Sequence, residues 1–516
     1  MFKRFVNLEL SRNQQTIINI VAAVLNMLVT TLISFVLSPY IVKHIGVEAN
    51  GFVGLAQNFL SYAVLITTAL NSMGSRFLIM TYYNGELDKF RRYYSSLLFA
   101  NLVLGAVLGI LAGVCVWKLE VILEIPPQIV SDVKWLFALI FANFVMGTMI
   151  TAWSSAPFLK NRLYLNSLTI AASAGLRALM ILGLFLCLEP TVSFVGVATL
   201  ISGAVTHLFQ MSYKHILFPE LRARLKDFSW PFIWELISSG IWNTLSSLGH
   251  VLSSGLDLLI TNMFISANAM GILALSHTIP TFINTLNETL ANSFVPTMMM
   301  SYAKKKTDEL AETITRSAKI ISVICSLPLG FLMVYGREFF SLWQPTQDAQ
   351  LLHRLSVIII FGRIFFTGMQ PLFSVFTVVN KVRENAVVTI VNGFASVGLM
   401  FLLLKFTDLG IYAIAGSSVI CCFIKNIFFV IPFSAKYLGL KPTRFYQVLV
   451  PSMLCCGILY LWGILQKMIV QPTGWMQLIV SGAVFAFVGL CLTCFMVLNR
   501  RERKILLDLV KSKIKR

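Results

Sequence analysis

Charge is scarce in this chain. Asp, Glu, Lys and Arg make up 12% of 516 residues, about half the roughly 25% of a soluble domain. Acid is scarcer still, with 22 Asp and Glu against 41 Lys and Arg. No G-x-x-x-x-G-K-[ST] loop occurs, and no polar segment is large enough to fold around a nucleotide, which excludes ATP hydrolysis of that kind. No Ser/His/Asp or metal-ligand cluster stands out, so neither a catalytic centre, a metal nor a cofactor is expected. The longest joints on one side, about 118–132 and 341–351, are too short for the catalytic loop of a glycan polymerase or ligase. Ten-residue segments of alternating polarity are missing, which excludes a membrane β-barrel. The nine cysteines (Cys115, Cys187, Cys325, Cys421, Cys422, Cys455, Cys456, Cys491 and Cys494) all fall in apolar runs. The lone Cys491-x-x-Cys494 pair has no second pair or His cluster beside it and reads as buried small hydrophobes.

Apolar length, by contrast, is abundant. Hydrophobic residues reach 57%, and about 20 consecutive apolar residues let a helix cross the hydrocarbon core. Fourteen such spans are predicted, at 16–37, 51–72, 97–117, 133–156, 165–188, 192–212, 241–265, 271–293, 318–340, 352–379, 386–406, 409–433, 447–466 and 475–498. The fold class is therefore all-α integral membrane. With the N-terminus in the cytoplasm, and residues within four positions of a span end counted with the adjoining joint, 31 Lys and Arg fall on the cytoplasmic side, 7 on the outer side and 3 deep within spans. That asymmetry is the positive-inside bias. It explains the net charge of +19 without nucleic acid. Runs such as Lys304-Lys305-Lys306 and Arg500-Arg501 read as topology signals that also touch anionic lipid headgroups. An even number of spans returns the C-terminus to the cytoplasm. The first apolar segment lacks a small-x-small cleavage site and reads as a retained helix.

The two halves resemble each other at a nearly fixed offset. Gly51 and Gly271 open spans 2 and 8, 220 residues apart, and Asp88 and Asp308 keep that offset. Asn161 and Asn166 bracket one joint as Asn380 and Asn385 bracket its counterpart, and Gly196 and Gly410 open the last span of each half. Each unit holds six spans, so the copies share one orientation and are related by a pseudo-two-fold axis along the membrane normal. The expected organisation is a six-helix bundle at 1–212, a basic cytoplasmic linker at 213–231, a second bundle at 232–433, and two extra spans with a basic tail at 434–516.

Polar faces interrupt the apolar spans. Asn243, Ser247, His250, Ser254, Asp257 and Thr261 are spaced by 4 and 3 in alternation, which puts them on one face of an ideal helix. His277, Thr281, Asn284 and Glu288 repeat the pattern in span 8; Asn19, Asn26, Thr30 and Ser34 do so in span 1; Gln57, Ser61, Thr68, Ser72 and Arg76 do so in span 2. Such faces avoid lipid and look at water or another helix. Their repeated placement predicts one hydrophilic cavity shared by the halves. Five ionisable groups lie within spans: Arg177, Asp257, Glu288, Arg363 and Lys425. The three cations are candidates for an anionic ligand, phosphate above all. Internal ion pairs, such as Asp257 with Lys425 or Arg177, are the competing explanation. Arg76 and Lys43, at span ends, are candidate waiting sites. Asp257 and Glu288 are candidates for Na⁺ or H⁺. His250 and His277 are hydrogen-bonding residues or proton relays.

At the level of motif, Pro39-Tyr40-Ile41-Val42-Lys43-His44-Ile45-Gly46 followed by Gly51, Gly74-Ser75-Arg76-Phe77, and Asp257 with Ile260 and Gly271 resemble passages of the multidrug/oligosaccharidyl-lipid/polysaccharide (MOP) exporter superfamily, and within it the Wzx-type polysaccharide flippases. Leu258, Leu273 and Asn50 depart from that pattern. The resemblance implies a flippase that moves a polyprenyl-diphosphate-linked oligosaccharide across a bacterial inner membrane for capsule, O-antigen or exopolysaccharide assembly, with the polymerase machinery as a partner. This fits the residues read above, with Asn26, Asn243, His250 and Asn284 for sugar hydroxyls, Arg177, Arg363 or Lys425 for the diphosphate, and Arg76 as a waiting site in the same cavity. A cation-coupled drug or metabolite antiporter, or a lipid II flippase, is the alternative. Against the antiporter stands the lack of any acid in the spans of the first unit.

Overall fold

The computed structural model describes residues 12–219, 221–379 and 381–499, with Val6 and Arg503 besides. Asn380 and the basic tail, apart from Arg503, lie outside them. No strand occurs among the described residues. Twelve helices there are long and apolar enough to cross a membrane. One of these, Arg12–Tyr83, is two helices joined end to end at Gly46 (φ 89°, ψ 165°). We name its arms α1 (12–45) and α2 (47–83). A side chain with a Cβ is strained at that φ, so glycine makes the break. The remaining crossings are α3 (Leu87–Trp117), α4 (Val130–Met149, continuing as Thr151–Leu159), α5 (Leu163–Cys187) and α6 (Ser193–Leu217). α7 runs through Trp230–His250, a π turn at Val251–Gly255, and Asp257–Phe264. Its polar face makes it too hydrophilic to be counted by apolarity alone. α8 comprises Ala267–Ser276 and Thr278–Asn292. Then come α9 (Thr307–Trp343), α10 (Ala349–Phe366, a 3₁₀ turn at Thr367–Met369, then Gln370–Val378) and α11 (Val382–Phe406). α12 is Ile411–Lys425, a π turn at Asn426–Val430, and Ile431–Tyr437. α13 (Leu449–Ile469) and α14 (Trp475–Val497) complete fourteen crossings.

Contacts divide the chain into two compact units, Met1–Gly271 and Ile272–Arg516. In the first, an aromatic core gathers near the basic joints: Phe90, Tyr93, Tyr94, Tyr164, Tyr213 and Phe218 are all buried. There the joint between α4 and α5 turns on Asn161, whose φ is +55°. Asn19 holds it: its amide donates to the Asn161 carbonyl at 2.9 Å, and its Oδ1 accepts the Tyr164 N–H at 2.9 Å. The asparagine that marks the repeated joint in the sequence is thus a turn residue bound by span 1.

In the second unit, small residues set the packing. Ser322, Ser326 and Gly330 recur every four residues on α9 and meet Ser452, Cys456 and Leu459 of α13. Ser322 and Ser452 share a hydrogen bond of 2.8 Å, and Cys456 donates to Ser326 at 3.5 Å. A Cβ on Gly330 would lie 2.8 Å from Leu459 Cβ, and one on Gly463 would lie 2.7 Å from Val334. Ser452 also accepts the Gly368 N–H at 2.8 Å, which binds α13 to the break in α10. At the far end of the same seam Lys467 pairs with Glu338 at 2.6 Å and donates to the Val334 carbonyl at 2.9 Å. Both side chains are mostly shielded, at 31% and 21% exposure. Lys467→Met is therefore expected to lower stability by about 2 kcal/mol, because it strands Glu338. Adding Glu338→Gln should recover most of that loss. Thermal unfolding of the two variants in one detergent checks this; equal losses in both would mean that the pair does not bind α13 to α9.

Candidate functional site

Four ionisable residues of the second repeat share a local feature that spacing did not reveal. Asp257, His277, Arg363 and Lys425 each sit beside an interruption of a helix, whereas Glu288 lies within the unbroken segment Thr278–Asn292. Asp257 occupies the first turn after the π turn of α7. His277 stands between the two segments of α8. Arg363 lies in the last turn of the first α10 segment, ahead of the 3₁₀ turn, and its carbonyl accepts the Thr367 hydroxyl at 2.5 Å. Lys425 ends the first α12 segment, where the π turn begins. Interruptions of this kind cluster at functional positions. The signs also fit the helix dipole. The acid stands at an N-terminal turn, where the dipole is positive, and both cations stand at C-terminal turns, where it is negative.

Within the second unit, Arg363 is surrounded by Cys422 of α12, Glu288 of α8 and Cys325 of α9, each near enough to feel its charge. Aromatic rings close the same region. Phe366 and Phe423 stand 5.0 Å apart edge to face, and the Lys425 ammonium lies 5.9 Å from the Phe373 ring centre. Among the described residues, no carboxylate comes within 4.0 Å of Arg177, Arg363 or Lys425. Within the first unit, the ion pair of Asp257 with Arg177, one form of the competing explanation, does not form. Glu288 is exposed. Asn284 is half-buried on the same helix.

In the first unit, Arg177 on α5 carries a buried Nε with no hydrogen-bond partner, and Asn26 on α1 has a buried Oδ1 in the same condition. Arg76 is exposed on α2. Asp257 is 2% exposed and Thr261 fully buried, whereas His250 and Ser254 are exposed and Asn243 and Ser247 lie between. The six-residue stripe of α7 is thus split. A π turn adds a residue to the helical repeat, so the residues after it rotate off the face of those before it. The stripe presents Asn243, Ser247, His250 and Ser254 on one side of the break, and Asp257 and Thr261 turn inward.

Two residues that the sequence did not single out hold this break. Tyr62 of α2 donates its hydroxyl to the Gly255 carbonyl, inside the π turn, at 2.6 Å. Asn262 is fully buried and pairs with the backbone of Glu124. A tyrosine and an asparagine in apolar runs carry no sequence signal of their own. Only the fold brings them to their partners.

Residues 45–342 match a family described as polysaccharide biosynthesis protein. The chain belongs to that family. It is also similar to the uncharacterized membrane protein EpsK of Bacillus subtilis (strain 168), 26% identical over 492 residues, or 95% of this chain and 97% of that protein. Among solved structures, an inward-facing multidrug resistance MATE family transporter of the MOP superfamily superposes with a TM-score of 0.66 at 15% identity, over 80% of this chain and 94% of its own. The lipid II flippase MurJ, in an inward closed conformation, gives 0.66 at 11% identity, over 94% and 100%. A MOP superfamily transporter from Pyrococcus furiosus gives 0.60 at 15%, over 82% and 95%. These likenesses show a shared fold. This polysaccharide biosynthesis protein is thus a multi-pass membrane protein built on the MOP architecture, as the motifs around Gly46, Arg76 and Asp257 led one to expect.

Proposed function

We propose that this member of the polysaccharide biosynthesis family is a flippase for a polyprenyl-diphosphate-linked oligosaccharide. It carries the head group from the cytoplasmic to the outer leaflet of the inner membrane by alternating access, with both termini in the cytoplasm. The observation that supports this most is the pair of cations in the second unit, Arg363 and Lys425, each at a helix break and neither balanced, among the described residues, by a carboxylate within 4.0 Å. A cation at membrane depth costs about 2.5–3.5 kcal/mol. A helix C-terminus returns about 0.3–1 kcal/mol of that. About 2 kcal/mol per cation is left, and a diphosphate held by two such groups would supply it. Arg177 and the waiting site Arg76 extend the anion path. Asn26, Asn243, His250 and Asn284 offer hydrogen bonds to sugar hydroxyls. The prenyl chain stays in lipid. The family description favours a glycan cargo over a drug, and polysaccharide polymerase machinery would take the product.

Deleting the gene should stop surface glycan formation, with lipid-linked oligosaccharide accumulating inside. Purified protein in vesicles should move a labelled polyprenyl-diphosphate oligosaccharide between leaflets. If intact glycan appears on the surface of the deletion strain, the assignment fails.

Asp257 carries a separate expectation. A carboxylate buried at the start of a helix segment is placed to take Na⁺ or H⁺. Asp257→Asn keeps the volume and removes the charge. It should cut uptake-driven flipping by about tenfold, or roughly 1.4 kcal/mol, and make the remaining rate indifferent to the Na⁺ and proton gradients. Collapsing each gradient in turn, in wild type and variant, is the measurement. A variant as gradient-sensitive as wild type would leave Asp257 a structural residue.

A further inference from the structure

The sequence duplication divides the molecule at the linker, which would assign α7 to the second repeat. The hydrogen bonds assign it otherwise. Near the basic joints, Ser96 of α3 exchanges two bonds with Ser229, just ahead of α7: Ser96 Oγ accepts the Ser229 N–H at 2.9 Å and donates to the Ser229 carbonyl at 3.3 Å. Tyr93, one turn along α3, donates to Glu235 at 2.5 Å. Deeper, Gly240 rests directly on the Ala69 carbonyl of α2, with no room for a Cβ. At mid-depth Tyr62 donates to Gly255 at 2.6 Å. Toward the other end, the Asn262 side chain pairs with a peptide group: its Oδ1 accepts the Glu124 N–H at 2.9 Å and its Nδ2 donates to the Glu124 carbonyl at 3.0 Å. Beyond it the repeat-equivalent glycines meet, a Cβ on Gly51 lying 2.8 Å from the Gly271 Cα.

These attachments run from Ser229 to Gly271. At 1.5 Å per residue, the stretch from Ser229 to Asn262 spans about 50 Å, the thickness of a whole bilayer. In each of these bonds and contacts the partner comes from α2, α3 or the joint after α3. Parting the seam would break the serine and asparagine bonds near its two ends and strand the tyrosine hydroxyl at mid-depth, where no water replaces its lost bond. We infer that α7 is a mechanical part of the first bundle: residues 12–271 move as one body, and the boundary that flexes lies within α8, after Gly271. This rests on the transporter reading above. Its consequence for that reading is that Asp257 keeps its place beside Tyr62 throughout the cycle and does not travel with Arg363 and Lys425.

The test uses the full chain with its nine cysteines replaced. Ser96→Cys with Ser229→Cys, oxidised to a disulfide, should leave glycan export within about twofold of the reduced protein. A loss of about tenfold or more on oxidation, restored by reductant, would overturn the inference. Spin labels provide a readout independent of substrate and of the engineered bridge. Labels at Leu102 of α3 and Ile241 of α7, both surface-exposed, should keep one unchanged distance between Na⁺-loaded and Na⁺-free, acidic and neutral conditions. A pair at Ile241 and Phe394 of α11, also exposed, should shift across the same series. A Leu102–Ile241 distance that moves as far as the control pair shows that the seam opens. Failure of the flippase reading itself would appear elsewhere, as normal surface glycan in the deletion strain, whatever the spin labels report.

Discussion

Arg363→Ala is expected to reduce glycan export about a hundredfold, to the level of the deletion strain, while the protein remains abundant in the membrane. The guanidinium lies at the end of the first α10 segment, with Glu288 near enough to feel it and, among the described residues, no carboxylate within 4.0 Å. It therefore carries no ion pair whose loss would unfold the helix packing. A charge-assisted contact to phosphate is worth up to about 3 kcal/mol, and that energy converts to about a hundredfold in rate. Arg363→Lys should recover part of the activity, since it keeps the charge but not the planar fork that grips two oxygens. Surface polysaccharide and membrane abundance, measured together for both variants, decide the matter. Wild-type glycan from the alanine variant would remove the arginine from the diphosphate path.

Gly271→Val should act on folding. A Cβ at Gly271 would overlap the carbonyl oxygen of Val47 and approach its side chain to 3.0 Å. The nearest atoms are the backbone carbonyl of Val47 within α2 rather than the far end of a flexible side chain, so relief requires a helix to shift. Overpacking a rigid backbone contact costs about 3 kcal/mol or more. The variant should give little monodisperse protein in mild detergent, and Gly271→Ala should show the same defect more weakly. The reciprocal Gly51→Ala, with its Cβ 2.8 Å from the Gly271 Cα, should be impaired as well. A well-folded Gly271→Val protein would mean that this contact is not required for assembly.

The crossings, span 241–265 of α7 among them, were legible because bilayer thickness imposes a length on apolar sequence, and the polar face of α7 showed in its regular spacing. Gly51, Gly271 and Asn161 were picked out as repeat markers and Gly46 as a motif residue; that they make close approaches, a turn and a helix break shows only in the fold. The other helix breaks left no such mark. Nothing in Val251–Gly255 or Asn426–Val430 forbids a regular helix. The π turns follow from tertiary partners such as Tyr62, which lies 193 residues from the carbonyl it binds. For that reason the α7 stripe looked continuous in the sequence and is divided in the fold. The packing of α13 against α9 was not read from the sequence: Ser322, Ser326 and Gly330 recur every four residues on α9, and Ser452 and Cys456 are four apart on α13, but which helix each set meets depends on topology.

The α9–α13 seam bears on how the protein is made. Ser322 and Ser326 are translated 130 residues before the Ser452 and Cys456 that receive them. At about 5–20 residues per second on the ribosome, α9 waits roughly 6 to 26 seconds with its notched side unfilled. During that interval another nascent chain or a membrane chaperone could occupy it, so a premature stop codon after α12 would leave a lasting docking groove and mark the product for degradation.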